Sequence, residues 1–131
     1  MTNEEKQLLL ADLCARLAYY PIVSVAYNYS DKGIVWESDI LRIKLLLEIE
    51  ENDSWEYIKP YLRPMSSMTE EEDKEICQFM KDYNLLPGSN RTGVFCSEIV
   101  DWLNAHHFDY RGLIEKKLAI EVTEENNPYK E

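Results

Sequence analysis

Glycine is scarce in this chain, at 4 of 131 residues, which leaves no material for a glycine-rich dinucleotide fingerprint. The nearest approach to a phosphate loop, Gly88 with Arg91-Thr92-Gly93, lacks the G-K-[ST] ending that places a lysine and a hydroxyl on the phosphates. Cysteine is also rare. Cys14, Cys77 and Cys96 are widely spaced and form no C-x-x-C pair, which excludes a zinc-ribbon framework. An odd number of thiols inside helical patterns points to reduced, buried cysteines. No hydrophobic run approaches the ~18 residues of a membrane helix. Leu8-Leu9-Leu10, behind a polar and acidic N-terminal segment, is too short for a secretory core, so a cytoplasmic location is expected. Asn28-Tyr29-Ser30 and Asn90-Arg91-Thr92 are then chance matches to the glycosylation pattern. Basic residues are in deficit as well, 14 against 25 acidic ones, for a formal charge of −11. That balance argues against direct nucleic-acid binding, which needs clustered Lys and Arg, and against adhesion to an anionic membrane.

Enough apolar residue is present for one core, since hydrophobic types make up 45% of the chain and exclude a disordered composition. Thr2 and Glu5 stand at capping-box spacing before Leu9, Leu10, Leu13, Cys14 and Leu17, which predicts an amphipathic helix over 3–18 ended before Pro21. The period then becomes two. Val23, Val25, Tyr27 and Tyr29 alternate with smaller or polar residues, Ser30-Asp31-Lys32-Gly33 supplies a turn, and Ile34-Val35-Trp36 forms a short partner strand before Glu37-Ser38-Asp39. Alternation of Leu41, Ile43, Leu45, Leu47 and Ile49 favours a strand over 40–50, with a helix as the competing reading because Leu and Glu are strong helix formers. Residues 55–58 read as a further short strand. Pro60 and Pro64 remove ladder donors, so 59–68 is expected to be irregular. Thr69 with Glu72 opens a second helix carrying Ile76, Phe79, Met80 and Tyr83, with a loop at 87–90. A third helix over 92–106 buries Phe95, Ile99, Trp102 and Leu103. A helical turn at 113–117 and a final strand at 118–122 complete the pattern. The expectation is a single α+β domain over 1–122, a small antiparallel sheet of about 3–5 strands on about three helices, with an acidic, frayed tail at 123–131.

Candidate chemistry is thin. His106, His107 and Asp109 could together ligate a transition metal. Adjacent histidines nevertheless point about 100° apart on a helix, whereas ligation from one face wants i,i+4 spacing. A structural role fits better, with imidazoles against the last carbonyls of the helix, Asp109 turning the chain and pairing with Arg111, and Gly112 taking a positive φ. Ser66 and Ser67 lack a nucleophile elbow and read as turn and cap donors. The aromatic content is more telling, with 9 Tyr and 3 Trp, because Tyr and Trp are enriched in protein interfaces. Cross-strand aromatic pairs within the sheet are the competing use. Tyr27, Tyr29, Trp36, Tyr110 and Arg111 are therefore candidates for an interaction surface.

Two blocks, Lys-Pro-Tyr-Leu-Arg-Pro-Met-Ser-Ser-Met-Thr-Glu-Glu-Glu at 59–72 and Asp-Trp-Leu-Asn-Ala-His-His-Phe-Asp-Tyr-Arg-Gly-Leu-Ile-Glu-Lys-Lys-Leu-Ala-Ile-Glu-Val at 101–122, carry a resemblance. With the helical run at 9–19, the chain resembles an uncharacterised family of small acidic proteins from anaerobic gut bacteria, their prophages and other mobile elements. The resemblance implies genetic context; it brings no activity, cofactor or catalytic residue. The expectation is a non-enzymatic accessory protein that contacts another protein and uses no cofactor. The alternatives are an acidic mimic of DNA that occupies a DNA-binding enzyme, and a metal-dependent hydrolase at His106, His107 and Asp109.

Overall fold

The computed structural model describes residues 1–82 and 97–130, with side chains described except at 79–82 and 97. The loop expected at 87–90, the start of the helix expected from Thr92, Cys96 and the side chains of Phe79, Met80, Tyr83 and Phe95 lie outside the described residues.

Helix α1 (Asn3–Arg16) starts at the expected capping box, in which Glu5 N–H donates to Thr2 Oγ1 at 3.1 Å and Thr2 N–H donates to the Glu5 carboxylate at 3.0 Å. Its buried face is Leu9, Asp12, Leu13 and Arg16, so a charged pair stands inside the apolar stripe. Cys14, expected inside, is exposed, because it lies next to that stripe rather than on it.

Strands β1 (Ile22–Tyr29) and β2 (Gly33–Ile40) form an antiparallel hairpin paired along their full length, with Gly33 at φ +75° closing the turn. β2 runs through Glu37-Ser38-Asp39, which was expected to end it. On an edge strand with wet faces, polar side chains are tolerated.

Residues 43–52 are helix α2 (Ile43–Asn52), not the favoured strand. Leu41, Leu46 and Ile49 are buried and Leu45 half-buried, while Ile43 and Leu47 of the alternating set are exposed. At 100° per residue Leu45, Leu46 and Ile49 share one helix face, Leu41 being buried just ahead of the N-cap, and fully burying such a side chain stabilises the fold by about 1.5–3 kcal/mol. Local propensity won over an accidental alternation.

The prolines do not prevent a strand. β3 (Ile58–Pro64) contains both, and the register shows why. Pro60 lies opposite Val23 and Pro64 opposite Asp109. Main-chain groups alternate between the two edges of a strand. Lys59 lies opposite Ser24, and Arg63 N–H donates to His107 O at 2.7 Å, so the odd residues serve the edge shared by β1 and the later strand β4 (Phe108–Asp109). Both prolines are even, and their missing donors face the other edge. There β5 (Ile120–Glu121) pairs alongside, and Val122 N–H donates to Leu62 O at 2.8 Å.

β4 and β5 both run parallel to β3, so the five-stranded sheet is mixed rather than purely antiparallel. Helix α3 (Glu70–Asp82) carries the expected Thr69/Glu72 capping box, and α4 (Ser97–Ala105) packs on it. The class is α+β. One core lies between α1, α2 and the β1–β3 region, built on Leu9, Leu13, Val23, Val25, Leu46 and Ile58. A second joins α3, α4 and β4 through Ile76, Ile99, Trp102, Leu103 and Phe108. Leu62, Leu113, Leu118 and Ala119 form a third. Among the described residues no helix is long and apolar enough to cross a membrane.

Within the tail expected to fray, the stretch around Tyr129 is docked, while 123–126 and Lys130 are exposed. Tyr129 is half-buried, its ring stacked on His107 with centroids 3.8 Å apart. Its hydroxyl accepts from Ile22 N–H at 2.9 Å and donates to Tyr61 O at 2.9 Å. The β1–β3 ladder ends at Val23 and Pro60, and the next pair in register is Ile22 with Tyr61. The phenol fills the place of that missing rung.

Candidate functional site

Two regions contain the residues singled out from the sequence. The first is the corner after α4. His106 keeps to the helix end, where its Nδ1 lies 2.9 Å from Trp102 O and its ring stacks on Trp102 at 3.9 Å. His107 takes φ +63°, a left-handed helix end, and so leaves the helix face that His106 occupies. Burial first, then the nearby positive charge of Arg16, pushes its pKa down from 6.5 to about 4. Asp109 is consumed by the backbone: one oxygen accepts from Leu113 N–H at 2.9 Å and the other from Ile114 N–H at 3.0 Å. Arg111 does not pair with Asp109 as expected. It reaches α1 and donates to Asp12 at 3.0 Å.

That contact belongs to a buried polar network the sequence reading missed. Asp12 and Arg16 are both fully buried and joined at 2.8 Å. Arg16 also donates to Phe108 O, while its Nη1 has no partner among the described residues. Tyr110 donates to the buried Asn104 side chain at 2.8 Å, and its ring lies under the guanidinium groups of Arg16 and Arg111. The signal was present: positions 9, 12, 13 and 16 share one helix face, and two of them are charged. Tyr110 and Arg111 are thus turned toward α4 and α1 rather than toward Tyr27, Tyr29 and Trp36. A cleft of about 750 Å³ opens beside this corner, lined by Arg63, Thr69, His106, His107, Tyr129 and Lys130 among others. Arg63 is engaged there by two hydrogen bonds to Glu72 at 2.7 Å, which hold the Glu72 carboxyl down at about 2. Among the described residues no cluster of His, Cys, Asp and Glu is arranged to hold a metal ion.

The second region is the β1–β2 hairpin. β3 pairs with β1 only at Val23, Ser24 and Val25, so beyond Val25 the hairpin continues as a two-stranded ribbon. Tyr27 and Tyr29 lie on the face that includes the buried Val23 and Val25; their rings are 6.4 Å apart, and Tyr29 donates to Glu37 at 2.9 Å. Trp36 is on the opposite face, opposite Ala26 in register. Ile34 is next to it on that face and Ile40 lies beyond Ser38; the three are 58%, 45% and 38% exposed in the order Ile34, Trp36, Ile40. Neither isoleucine was singled out from the sequence: Ile40 lies beyond the expected end of the strand, and Ile34, inside it, carries no aromatic or charged signal. No family model, curated protein or solved structure matches the chain.

Proposed function

We propose that the chain is a cytoplasmic, non-enzymatic protein-interaction protein, an accessory protein of a phage or mobile element, with the β1–β2 hairpin as its contact surface. The observation that carries this reading is the exposed pair Ile34 and Trp36 on the ribbon that runs past β3, with Ile40 exposed on the same face at the other end of β2. A two-stranded ribbon is marginal by itself in water, and adjacent exposed apolar side chains such as Ile34 and Trp36 are a mark of an interaction site.

The rest of the molecule favours this reading over the alternatives. Asp109 is taken up by backbone N–H groups, and His106 by a helix carbonyl and an indole ring, which favours a structural corner over metal-assisted hydrolysis. Asp12, Asp53, Glu56 and Glu72 sit in ion pairs, which favours a protein partner over phosphate mimicry. The test is size-exclusion chromatography with cross-linking in host extract, run on the native chain and on Trp36→Ser. The native chain shifts to higher mass with a discrete partner and the variant stays monomeric, while its stability changes by no more than about 0.5 kcal/mol. A native chain that remains a monomer and enriches nothing contradicts the proposal.

A further inference from the structure

β2 is the outer edge of the sheet, eight residues long, and seven of the eight are exposed. Its free main-chain groups can be assigned. Ile22 turns its N–H and C=O to Tyr129, away from β2, so the Ile22–Ile40 pair exchanges no hydrogen bonds. Alternation along the unbroken antiparallel register then directs the main-chain groups of Ile34, Trp36, Ser38 and Ile40 off the edge. Asp39 Oδ1 already accepts from Ile40 N–H at 2.8 Å. Among the described residues Ile34, Trp36 and Ser38 keep theirs free, a spacing of two that matches one incoming strand. The side chains give that strand a character. One face offers Ile34, Trp36 and Ile40, with Ser38 between the last two; the other offers Val35, Glu37 and Asp39, two acids with no base inside the strand. Lys32 before the strand and Arg42 after it bracket the negative charge. The edge is therefore mainly apolar on one face, around Ile34 and Trp36, and anionic on the other, at Glu37 and Asp39.

Resting on the reading of the hairpin as a contact surface, we infer that β2 takes up an extended segment of a partner protein as an added strand. The segment alternates apolar residues, which lie beside Trp36 and its neighbours, with Lys or Arg, which lie beside Glu37 and Asp39. Main-chain bonds hold the strand and the alternate side chains select it. A second copy of this chain fits the edge poorly, since each copy carries a net charge of −11 and offers the same two acids.

The test uses the full chain and three short peptides of β2 length: one alternating Val and Lys, one with the same composition but the lysines in a block, and one alternating Val and Glu. The alternating Val/Lys peptide binds at least about ten-fold tighter than either control, and hydrogen exchange slows at the amides of Ile34, Trp36 and Ser38. Ser38→Pro removes one outward N–H without touching the ladder to β1, and weakens binding about three- to ten-fold with an unchanged circular dichroism spectrum. The double variant Glu37→Lys/Asp39→Lys transfers the preference to the Val/Glu peptide. No preference among the peptides, or protection elsewhere on the chain, overturns strand addition. Protection of the same amides by self-association, seen as a concentration-dependent dimer, makes the occupant a second copy and also overturns it. Should Trp36→Ser abolish partner capture while the peptide panel fails, the contact surface stands and the strand-addition mode alone is lost.

Discussion

Arg16 is fully buried, and removing the carboxylate that balances it leaves a guanidinium uncompensated in the interior. Asp12 answers two arginines, Arg16 and Arg111, across α1 and the loop after β4. Asp12→Ala should therefore lose about 3–5 kcal/mol in urea unfolding, and Asp12→Leu with Arg16→Met should lose less than Asp12→Ala alone, because the double change removes both buried charges. The titrating residues set the pH dependence. His107 is held at about 4 against an ordinary 6.5, so the unfolded chain binds its proton first. Its contribution to stability is complete above about 6.5 and is lost as pH falls toward about 4. Glu72, held at about 2 by Arg63, adds a second loss of the same sign below its ordinary 4.5. Thermal unfolding followed from pH 7 to pH 4 should show His107→Gln with a flatter profile than the native chain above pH 4.5. Equal slopes contradict the burial of a neutral imidazole at that site.

At the scale of elements, the C-terminal segment acts as a clasp on the sheet. Tyr129→Phe keeps the ring on His107 and removes the hydroxyl that stands in for a rung between Ile22 and Tyr61. The change should cost about 1–3 kcal/mol, and hydrogen exchange should quicken first at the Ile22 amide. Acceleration spread evenly over β1 contradicts a local clasp. This element was illegible in the sequence for a physical reason: a polar tail with one tyrosine carries no periodicity, and its hydrogen-bond partners are more than sixty positions away. Helix α1 and the opening of α3 were legible because capping boxes are local. So was the hairpin turn, with its glycine at positive φ. Residues 43–52 misled because Leu and Ile fall at every second position by chance, while the burial that decides between helix and strand depends on what packs above them. The prolines of β3 misled because their effect depends on which strand edge they face, and only the register supplies that.

For the whole molecule, three apolar clusters and a buried ionic network hold a mixed sheet on four helices among the described residues, and the turn end of the hairpin is the part that runs past β3. The candidate residues separate accordingly. His106, His107, Asp109, Tyr110 and Arg111 are engaged in the corner that joins α4 to β4 and α1, whereas Trp36 and its isoleucine neighbours are turned to solvent. The acidic excess is compatible with a partner strand that brings its own positive charge. The most direct measurement is photo-cross-linking in host extract from benzoylphenylalanine placed at position 36, compared with the same group at the exposed position 115. A discrete protein adduct from position 36 and none from position 115 is the predicted result. No adduct from position 36, or the same adducts from both positions, contradicts the hairpin as the contact surface.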